Sequence, residues 1–193
     1  LLPLAGSFSD VVQKGLVIGG GVSGMTAALA LAEQGFETHL VERSDKLGGN
    51  FLGLHYTLEH EDVSGFLAGL VDRVRSSDNI VLHMNAEVKN VACFVGSFEV
   101  TLSEKGGEKA VPCGAIVVAT GGVPASTEDF HYGQSAGVIT QSELETALHA
   151  GTFSCANRNI VMIQCAGSRN DERSYCSRIC CSMAVKNALK VKE

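Results

Sequence analysis

The chain has 193 residues, 45% hydrophobic and 19% charged, and this balance predicts a packed core rather than a disordered chain. Its formal net charge of −6 argues against nucleic acid as a partner, because phosphate binding needs clustered lysine and arginine. No apolar run approaches the roughly 18–20 residues that cross a bilayer, so no membrane span is expected.

The chain begins LLPLAGSFSD, without an initiator methionine and without the basic region that opens a signal peptide. We therefore expect a fragment or a processed product that is located in the cytoplasm. In that reducing compartment, clustered cysteines indicate metal or redox chemistry more often than structural disulfides.

The first predicted unit is a strand, a helix and a second strand. Leu16–Ile18 is a short apolar run typical of a buried parallel strand. The stretch from Ser23 to Gln34 is rich in alanine and leucine and favours a helix, with Gly35 at its carboxyl end. Glu37–Val41 predicts the second strand, which ends at Glu42. These elements have the length and order of a βαβ unit.

The middle of the chain adds a helix, two more strands of the same sheet and a separate meander. Apolar residues between Val63 and Val74 recur at helical spacing, and Asn79–Met84 predicts a third strand. Residues 87–112 consist of short strand-like runs with turns between them, which indicates a small antiparallel meander. Ala115–Ala119 is another buried strand and ends in a small-residue turn.

The last third of the chain predicts a helix, a strand and a second helix. Thr140 and Glu143 have the spacing of a capping box, which opens a helix to about His149. Asn159–Gln164 predicts a strand whose sequence weakly echoes the first strand and turn, either by chance or because a second dinucleotide fold begins there. From Tyr175 the chain is predicted to be helical to its end.

These elements predict the α/β class: a Rossmann-like dinucleotide-binding domain with a central parallel sheet and a small antiparallel β-meander. We assign this domain to residues 14–150 and expect it to be incomplete at its carboxyl side. Residues 151–193 are predicted to start a second α/β unit, which carries a cysteine motif.

A glycine fingerprint lies between the first strand and its helix. Gly19 permits a tight turn, Gly21 lets the backbone approach a pyrophosphate, and Gly24 allows the helix to pack closely on the strand. Glu42 ends the next strand, where its carboxylate can accept hydrogen bonds from a ribose and repel the 2′-phosphate of NADP. The alternative is a glycine-rich turn that binds no ligand.

Three features favour FAD over NAD as the dinucleotide. A second glycine pair, Gly48 and Gly49, follows Glu42 and would allow the backbone to approach another part of a long ligand. The meander stands where a simple NAD-binding domain has a helix. The turn at Thr120–Gly122 lies at the carboxyl edge of the predicted sheet, where ligands of such folds bind.

The runs GGGVSG, VER followed by LGGN, and VVATGG resemble the FAD domain of the two-dinucleotide-binding flavoproteins. The later runs ITQSELE, IQCAGSRN and YCSRICC are similar to the A-type flavoprotein subunits of heterodisulfide reductase. This resemblance covers residues 14–193. It implies an FAD-dependent oxidoreductase that works with other iron–sulfur subunits, passes electrons between flavin and iron–sulfur centres, and is associated with electron bifurcation. The fragment alone is expected to be inactive.

The resemblance also implies FAD contacts, which fall on the glycine turns, the end of the second strand, and the start of the meander. It gives no catalytic residue, and the chain lacks the cysteine-rich insertion that longer family members have after LGGN. The implied contacts are Gly19, Gly21, Val22, Ser23 and Gly24 for the pyrophosphate, Glu42 and Arg43 for the ribose, Gly48, Gly49 and Asn50 for the ribityl side, the Val88 backbone for the adenine, and Thr120 and Gly121 for a second turn.

Four cysteines form a candidate metal motif: Cys165, Cys176, Cys180 and Cys181. Their spacing fits neither the usual ferredoxin patterns nor a common zinc finger, so cluster or metal binding, a redox disulfide and core filling all stay open on spacing alone. On a helix, the first and second cysteines of YCSRIC would share one face. The family resemblance implies a [4Fe–4S] cluster on these four residues.

The other cysteines, Cys93, Cys113 and Cys155, are scattered and are predicted to be small buried side chains, whereas His55 and His60 are predicted to lie in an exposed loop. Two other functions remain open. One is a pyridine-nucleotide-dependent flavin reductase, which would need a second glycine fingerprint near residue 160. The other is a zinc-binding or thiol-sensing module with a degenerate nucleotide fold.

Overall fold

The computed structural model describes residues 10–59, 61–156 and 159–193. The predictions for the opening segment LLPLAGSFS and for His60 lie outside these residues. The chain forms two compact units: the first extends to Phe51 and resumes over Gly65–Gly121, and the second comprises Leu52–Ser64 and Gly122–Glu193. The division into domains at residue 150 stays a prediction.

A four-stranded parallel sheet is the centre of the first unit. The strands and the helices associated with them are β1 (Lys14–Ile18), α1 (Val22–Glu33), β2 (Glu37–Glu42), a 3-10 helix (Gly49–Gly53), α2 (Val63–Ser76), β3 (Ile80–Met84) and, after three strands of a second sheet, β7 (Ala115–Val118). The strand order is β3-β2-β1-β7. This order is that of one half of a dinucleotide-binding fold and confirms the predicted fold class.

The strands β1 and β2 are buried on both faces. This burial explains the apolar run Leu16–Ile18 in β1, whereas β2 combines the apolar pair Leu40 and Val41 with buried polar side chains. On one face, Val17 and Leu40 pack with Met25 of α1 in a core that also contains Leu70 and Val74 of α2. The side chains next to them in sequence point to the opposite face, because side chains alternate along a strand.

That opposite face is covered by the predicted meander, which forms a separate antiparallel sheet. Its strands are β4 (Glu87–Phe94), β5 (Ser97–Glu104) and β6 (Gly107–Cys113). Leu16 and Val41 of the parallel sheet pack here against Val100, Leu102 and Val111. The first unit therefore has helices on one face of its central sheet and a small sheet on the other.

The second unit contains a short 3-10 helix (Asp129–His131), α3 (Gln141–His149) and α4 (Cys180–Lys192). The predicted capping box is confirmed at the start of α3. The Glu143 backbone N–H donates to the Thr140 hydroxyl at 3.2 Å, and the Thr140 backbone N–H donates to the Glu143 carboxylate at 2.6 Å.

The interior of the second unit is strongly polar. The Lys186 ammonium on α4 donates to the Glu145 carboxylate on α3 at 2.7 Å and to the Tyr56 backbone carbonyl at 2.9 Å. Glu145 is fully buried and Lys186 is 6% exposed. Burial, together with the nearby Glu145 charge, raises the pKa of the Tyr56 hydroxyl to about 12. These contacts connect both helices to the loop that contains Tyr56.

The strand predicted at Asn159–Gln164 is wrong: this segment is irregular in the structure. It pairs with no strand of either sheet among the described residues, and a single strand without a partner leaves its backbone groups unpaired. Val161 is 80% exposed and Ile163 is 49% exposed. The apolar run has the composition of a strand, but a strand also needs a neighbouring strand to pair with, and composition does not show whether one is present.

The helix predicted from Tyr175 begins later, at Cys180. Cys176 therefore precedes the helix, and the expectation that it shares a helix face with Cys180 is wrong. Arg178 has a backbone φ of 62°, a left-handed conformation that no helix continues through. The chain instead approaches α4 through a series of turns.

The scattered cysteines differ in burial. Cys113 is buried as predicted, and burial raises the pKa of its thiol. Cys93 and Cys155 are exposed, so the prediction that they are buried is wrong. None of the helices in the described parts of the chain has the length and apolar character needed to span a bilayer.

Candidate dinucleotide site

The first glycine turn connects the end of β1 to the start of α1. Gly19 has φ of +111°, and a Cβ there would lie 2.3 Å from the Ala119 carbonyl oxygen. A Cβ on Gly24 would lie 1.8 Å from the Gly19 carbonyl oxygen, inside the turn itself. The chain thus requires glycine at these two positions in order to bring helix, turn and β7 together.

Gly21 differs from these two because neither its backbone conformation nor the space around it requires glycine. Its φ of −73° and ψ of 178° are open to any residue, and an added Cβ would meet no atom within 4 Å. This residue is the N-cap of α1 and has no side chain with which to cap it. Backbone N–H groups at such a helix start, with the helix dipole, favour an anion.

The second glycine stretch lies directly against the first. The Gly48 backbone N–H donates to the Gly20 carbonyl at 2.8 Å, and Gly48 forms a parallel bridge with Gly21. A Cβ on Gly49 would be 3.2 Å from the Gly21 Cα atom. The structure therefore brings together two segments that the sequence separates by more than twenty positions.

Glu42, at the carboxyl end of β2, is held by the chain itself. One carboxylate oxygen accepts the Gly20 backbone N–H at 2.7 Å. The other accepts the Ser44 backbone N–H and the Ser44 hydroxyl, both at 2.8 Å. Burial alone would raise the pKa of Glu42, but these hydrogen bonds outweigh it and hold the pKa below its usual value. The ionised carboxylate keeps one lone pair for a further donor.

A cleft of about 210 Å³ opens at this carboxyl edge of the sheet. Pockets that enclose a whole ligand commonly measure about 300–1,000 Å³, so this cleft suits one portion of a long ligand. It gathers predicted site residues from four segments of the first unit. Its lining consists of Ile18, Gly19, Val41, Glu42, Arg43, Ala86, Glu87, Val88 and Thr120.

The structure thus brings most predicted dinucleotide residues to one edge of the sheet. Thr120 lines the cleft, and Gly121 follows it with φ of +68°. Sequence reasoning missed Gly20 and Ser44. A Cβ on Gly20 would lie 2.9 Å from the Glu42 carboxylate and 2.6 Å from Leu47. The unbroken run of three glycines was the available signal for Gly20, and nothing in the sequence marked Ser44.

The four motif cysteines are not gathered in the structure. Cys165 and Cys180 are half-buried, whereas Cys176 and Cys181 are exposed. The Cys176 sulfur accepts the Arg178 backbone N–H at 3.3 Å, and the Cys180 sulfur lies 3.3 Å from the Ser177 hydroxyl. Across the described ranges, no group of three or more histidine, cysteine or acidic side chains is placed to hold a metal ion.

The sheet order, the paired glycine turns and the acid that ends β2 define the class of a dinucleotide-binding protein. The chain belongs to the FAD dependent oxidoreductase family, which matches residues 15–153. This match confirms FAD as the cofactor class.

The curated homologues are heterodisulfide reductase A subunits, as the resemblance predicted. The chain is 28% identical over 285 aligned residues to the A subunit of the H(2):CoB-CoM heterodisulfide,ferredoxin reductase of Methanothermobacter marburgensis, covering 100% of this chain and 43% of that one. It is 27% identical to the iron-sulfur A subunit 1 of the CoB–CoM heterodisulfide reductase of Methanopyrus kandleri, covering 95% and 42% respectively.

The chain spans less than half the length of these relatives. The aligned stretch of 285 residues is also longer than the chain, so the first relative has residues within it that this chain lacks. Among solved structures, L-proline dehydrogenase from P. horikoshii matches with a TM-score of 0.55 at 21% identity, over 77% of this chain and 30% of that one. That similarity supports the fold.

Proposed function

We propose that this chain is the FAD-binding part of an electron-transfer protein similar to the A subunits of heterodisulfide reductase. The observation that supports this most directly is the open space at Gly21, bordered by two paired glycine turns and the start of α1. The chain itself could accommodate a side chain there, whereas a bound pyrophosphate could not.

The chain's own residues would bind and orient the cofactor by three kinds of interaction. The start of α1 offers backbone N–H groups to the pyrophosphate, the fixed Glu42 carboxylate accepts from the ribose, and backbone at Val88 meets the adenine. The proposed contacts are Gly19, Gly21, Val22, Ser23, Gly24, Glu42, Arg43, Gly48, Gly49, Asn50, Val88, Thr120 and Gly121. Bound FAD would supply the electron-transfer chemistry, while the protein would supply binding, orientation and electrostatics.

The proposal is tested by FAD titration of the purified chain, followed by flavin absorbance and fluorescence. Gly21→Val places a side chain in the open space, and we expect it to weaken FAD binding at least tenfold, which corresponds to about 1.4 kcal/mol. Its fold should persist, because the backbone conformation at Gly21 suits any residue.

The matched control is Gly106→Val, at a turn between β5 and β6 where an added Cβ also meets no atom within 4 Å. This variant should bind FAD as the unmodified chain does. Equal FAD affinity in the Gly21 and Gly106 variants, or no uptake by the unmodified chain, would contradict the proposed site.

We further propose that the whole protein relays electrons between the flavin and iron–sulfur centres, together with other iron–sulfur subunits in the cytoplasm. The four motif cysteines would bind a [4Fe–4S] cluster, and one relative is itself named an iron-sulfur subunit. As described, Cys165, Cys176, Cys180 and Cys181 do not form such a set, so cluster binding would require the turns before α4 to rearrange.

Iron and acid-labile sulfide analysis of anaerobically reconstituted chain tests the cluster. We expect about four iron atoms per chain, a clear loss in Cys176→Ser, and no loss in Cys155→Ser, which changes an exposed cysteine outside the motif. Zinc in place of iron would instead support the thiol-sensing alternative.

The pyridine-nucleotide reductase alternative is weakened, because its second glycine turn would follow a strand at 159–164 that is not formed.

A further inference from the structure

Four polar side chains form a continuous line between the parallel sheet and the meander of the first unit. The Glu37 carboxylate lies 3.1 Å from Nε2 of His39 on the same strand, β2. Nδ1 of His39 lies 2.9 Å from Nε2 of His83 on β3. Nδ1 of His83 lies 2.6 Å from the Glu104 carboxylate on β5. Every ring nitrogen of both histidines therefore has a partner.

The two histidines are buried, and few other charged side chains lie near them. His39 is 8% exposed and His83 is 4% exposed. Lys14 on β1 faces the line through its 2.8 Å ion pair with Glu37. On the meander strands β4 and β6, Lys89 and Glu108 form an exposed ion pair with each other.

Counting ring protons shows which charge state this geometry suits. Each contact with a carboxylate needs one N–H, and the contact between the two rings needs one N–H directed at one lone pair. These three contacts use three protons on four nitrogens, which is one imidazole and one imidazolium. With two protons, one of the three contacts has no donor. With four, two N–H groups face each other across 2.9 Å.

We propose that His39 and His83 form a binding site for one proton, shared between the two rings. The shared proton completes the line of hydrogen bonds. It also balances charge locally, since one imidazolium and the Lys14 ammonium offset the two carboxylates. The site joins the meander to the sheet through His83 and Glu104, so its protonation contributes to holding the two layers of the first unit together.

The electrostatics of His39 agree with a single shared charge. Burial lowers the pKa of His39, and the charge of His83 lowers it further, which opposes the addition of a second proton to the pair. Because Nδ1 of His39 and Nε2 of His83 lie 2.9 Å apart, we assign the proton to the pair and not to either ring alone.

The shared proton gives the stability of the unit a maximum along the pH axis. Two histidines of an unfolded chain, each with an ordinary pKa of about 6.5, together hold on average one proton beyond those of the neutral rings near that pH. Above it, the folded pair keeps its proton while the unfolded chain loses protons, so stability falls as pH rises. Below it, the unfolded chain takes a second proton that the pair resists, so stability falls as pH falls.

Denaturant unfolding of the chain between pH 5 and 8.5 tests this prediction. The unfolding equilibrium constant of the unmodified chain, divided by that of the double variant His39→Gln/His83→Gln, should be lowest near pH 6.5 and rise on both sides by at most about tenfold per pH unit. The control His131→Gln removes an exposed histidine and should give no such minimum. A ratio that is flat across this range would overturn the proposal.

Nitrogen-15 NMR of the unmodified chain gives an independent answer should the variant fail to fold. We expect three protonated nitrogens and one unprotonated nitrogen over the two buried rings at pH 7. One proton on each ring, or two protons on each, would overturn the proposal.

Discussion

Glu42 is the residue whose chemistry is most closely set by its neighbours. Two of its three hydrogen bonds come from Ser44, one from the backbone N–H and one from the hydroxyl. Because these bonds hold the pKa of Glu42 below its usual value, Glu42 stabilises the fold above the pKa of an unfolded carboxyl, about 4.3, and this stability is lost as pH falls through its folded value.

Ser44→Ala should therefore move the acid unfolding transition to higher pH. The variant removes one hydrogen bond to a charged group but keeps two backbone donors, so we expect a loss of about 1 kcal/mol at neutral pH. Circular dichroism during acid titration measures the transition. Ser103→Ala, an exposed serine on β5, is the control, and identical transitions in both variants would show that the Ser44 hydroxyl does not act through Glu42.

At this scale the sequence predicted the residues that the backbone demands. Gly19 and Gly24 stand where a Cβ would overlap a carbonyl oxygen, and the fingerprint spacing is enough to locate them. Gly20 and Ser44 could not be predicted, because their roles depend on where the Glu42 carboxylate points after the strand ends.

Among the elements, α3 and α4 are joined by an ion pair that is almost free of solvent. Glu145→Gln keeps an acceptor for the His55 backbone N–H but leaves the Lys186 ammonium buried without its counter-charge. Breaking a buried pair in this way typically costs about 3–5 kcal/mol. We expect hydrogen exchange of the α4 amides to accelerate accordingly.

The exposed pair Glu33–Arg73 in the first unit provides the comparison. Both side chains are more than half exposed. Glu33→Gln should therefore change the opening free energy of the α1 amides, measured by hydrogen exchange, by less than about 1 kcal/mol. Adding Lys186→Gln to Glu145→Gln should recover part of the lost protection. If the two single variants behave alike, the buried pair does not stabilise α4.

Elements whose signals are local were predicted well. The capping box at Thr140 and the run of alanine and leucine before Gly35 each depend on neighbours within one helical turn, and both helices formed. The segment 159–164 shows the limit of such signals, because an apolar run becomes a strand only beside another strand. The start of α4 was misplaced because nothing in YCSRICC marks Arg178 as left-handed.

For the molecule as a whole, the sequence predicted the first unit's layers but not its long-range contacts. Alternation in strand and helix patterns was sufficient for a parallel sheet with a meander. The contact between His39 and His83 joins residues 44 positions apart, and the Tyr56 hydroxyl donates to Asn187, 131 positions away. No periodicity within either segment indicates such a partner.

The hydrogen bonds that join Gly20 to Gly48 and to Glu42 have a consequence for the kinetics of nucleotide capture. In the folded chain the turn is held from two sides, by the Gly48 backbone N–H and by the Glu42 carboxylate. A nucleotide entering here would lose its own freedom but would not have to order a loop, and pre-organisation of this kind raises affinity by reducing the entropic cost of association. Association should then be limited by encounter with the site rather than by a conformational search within it.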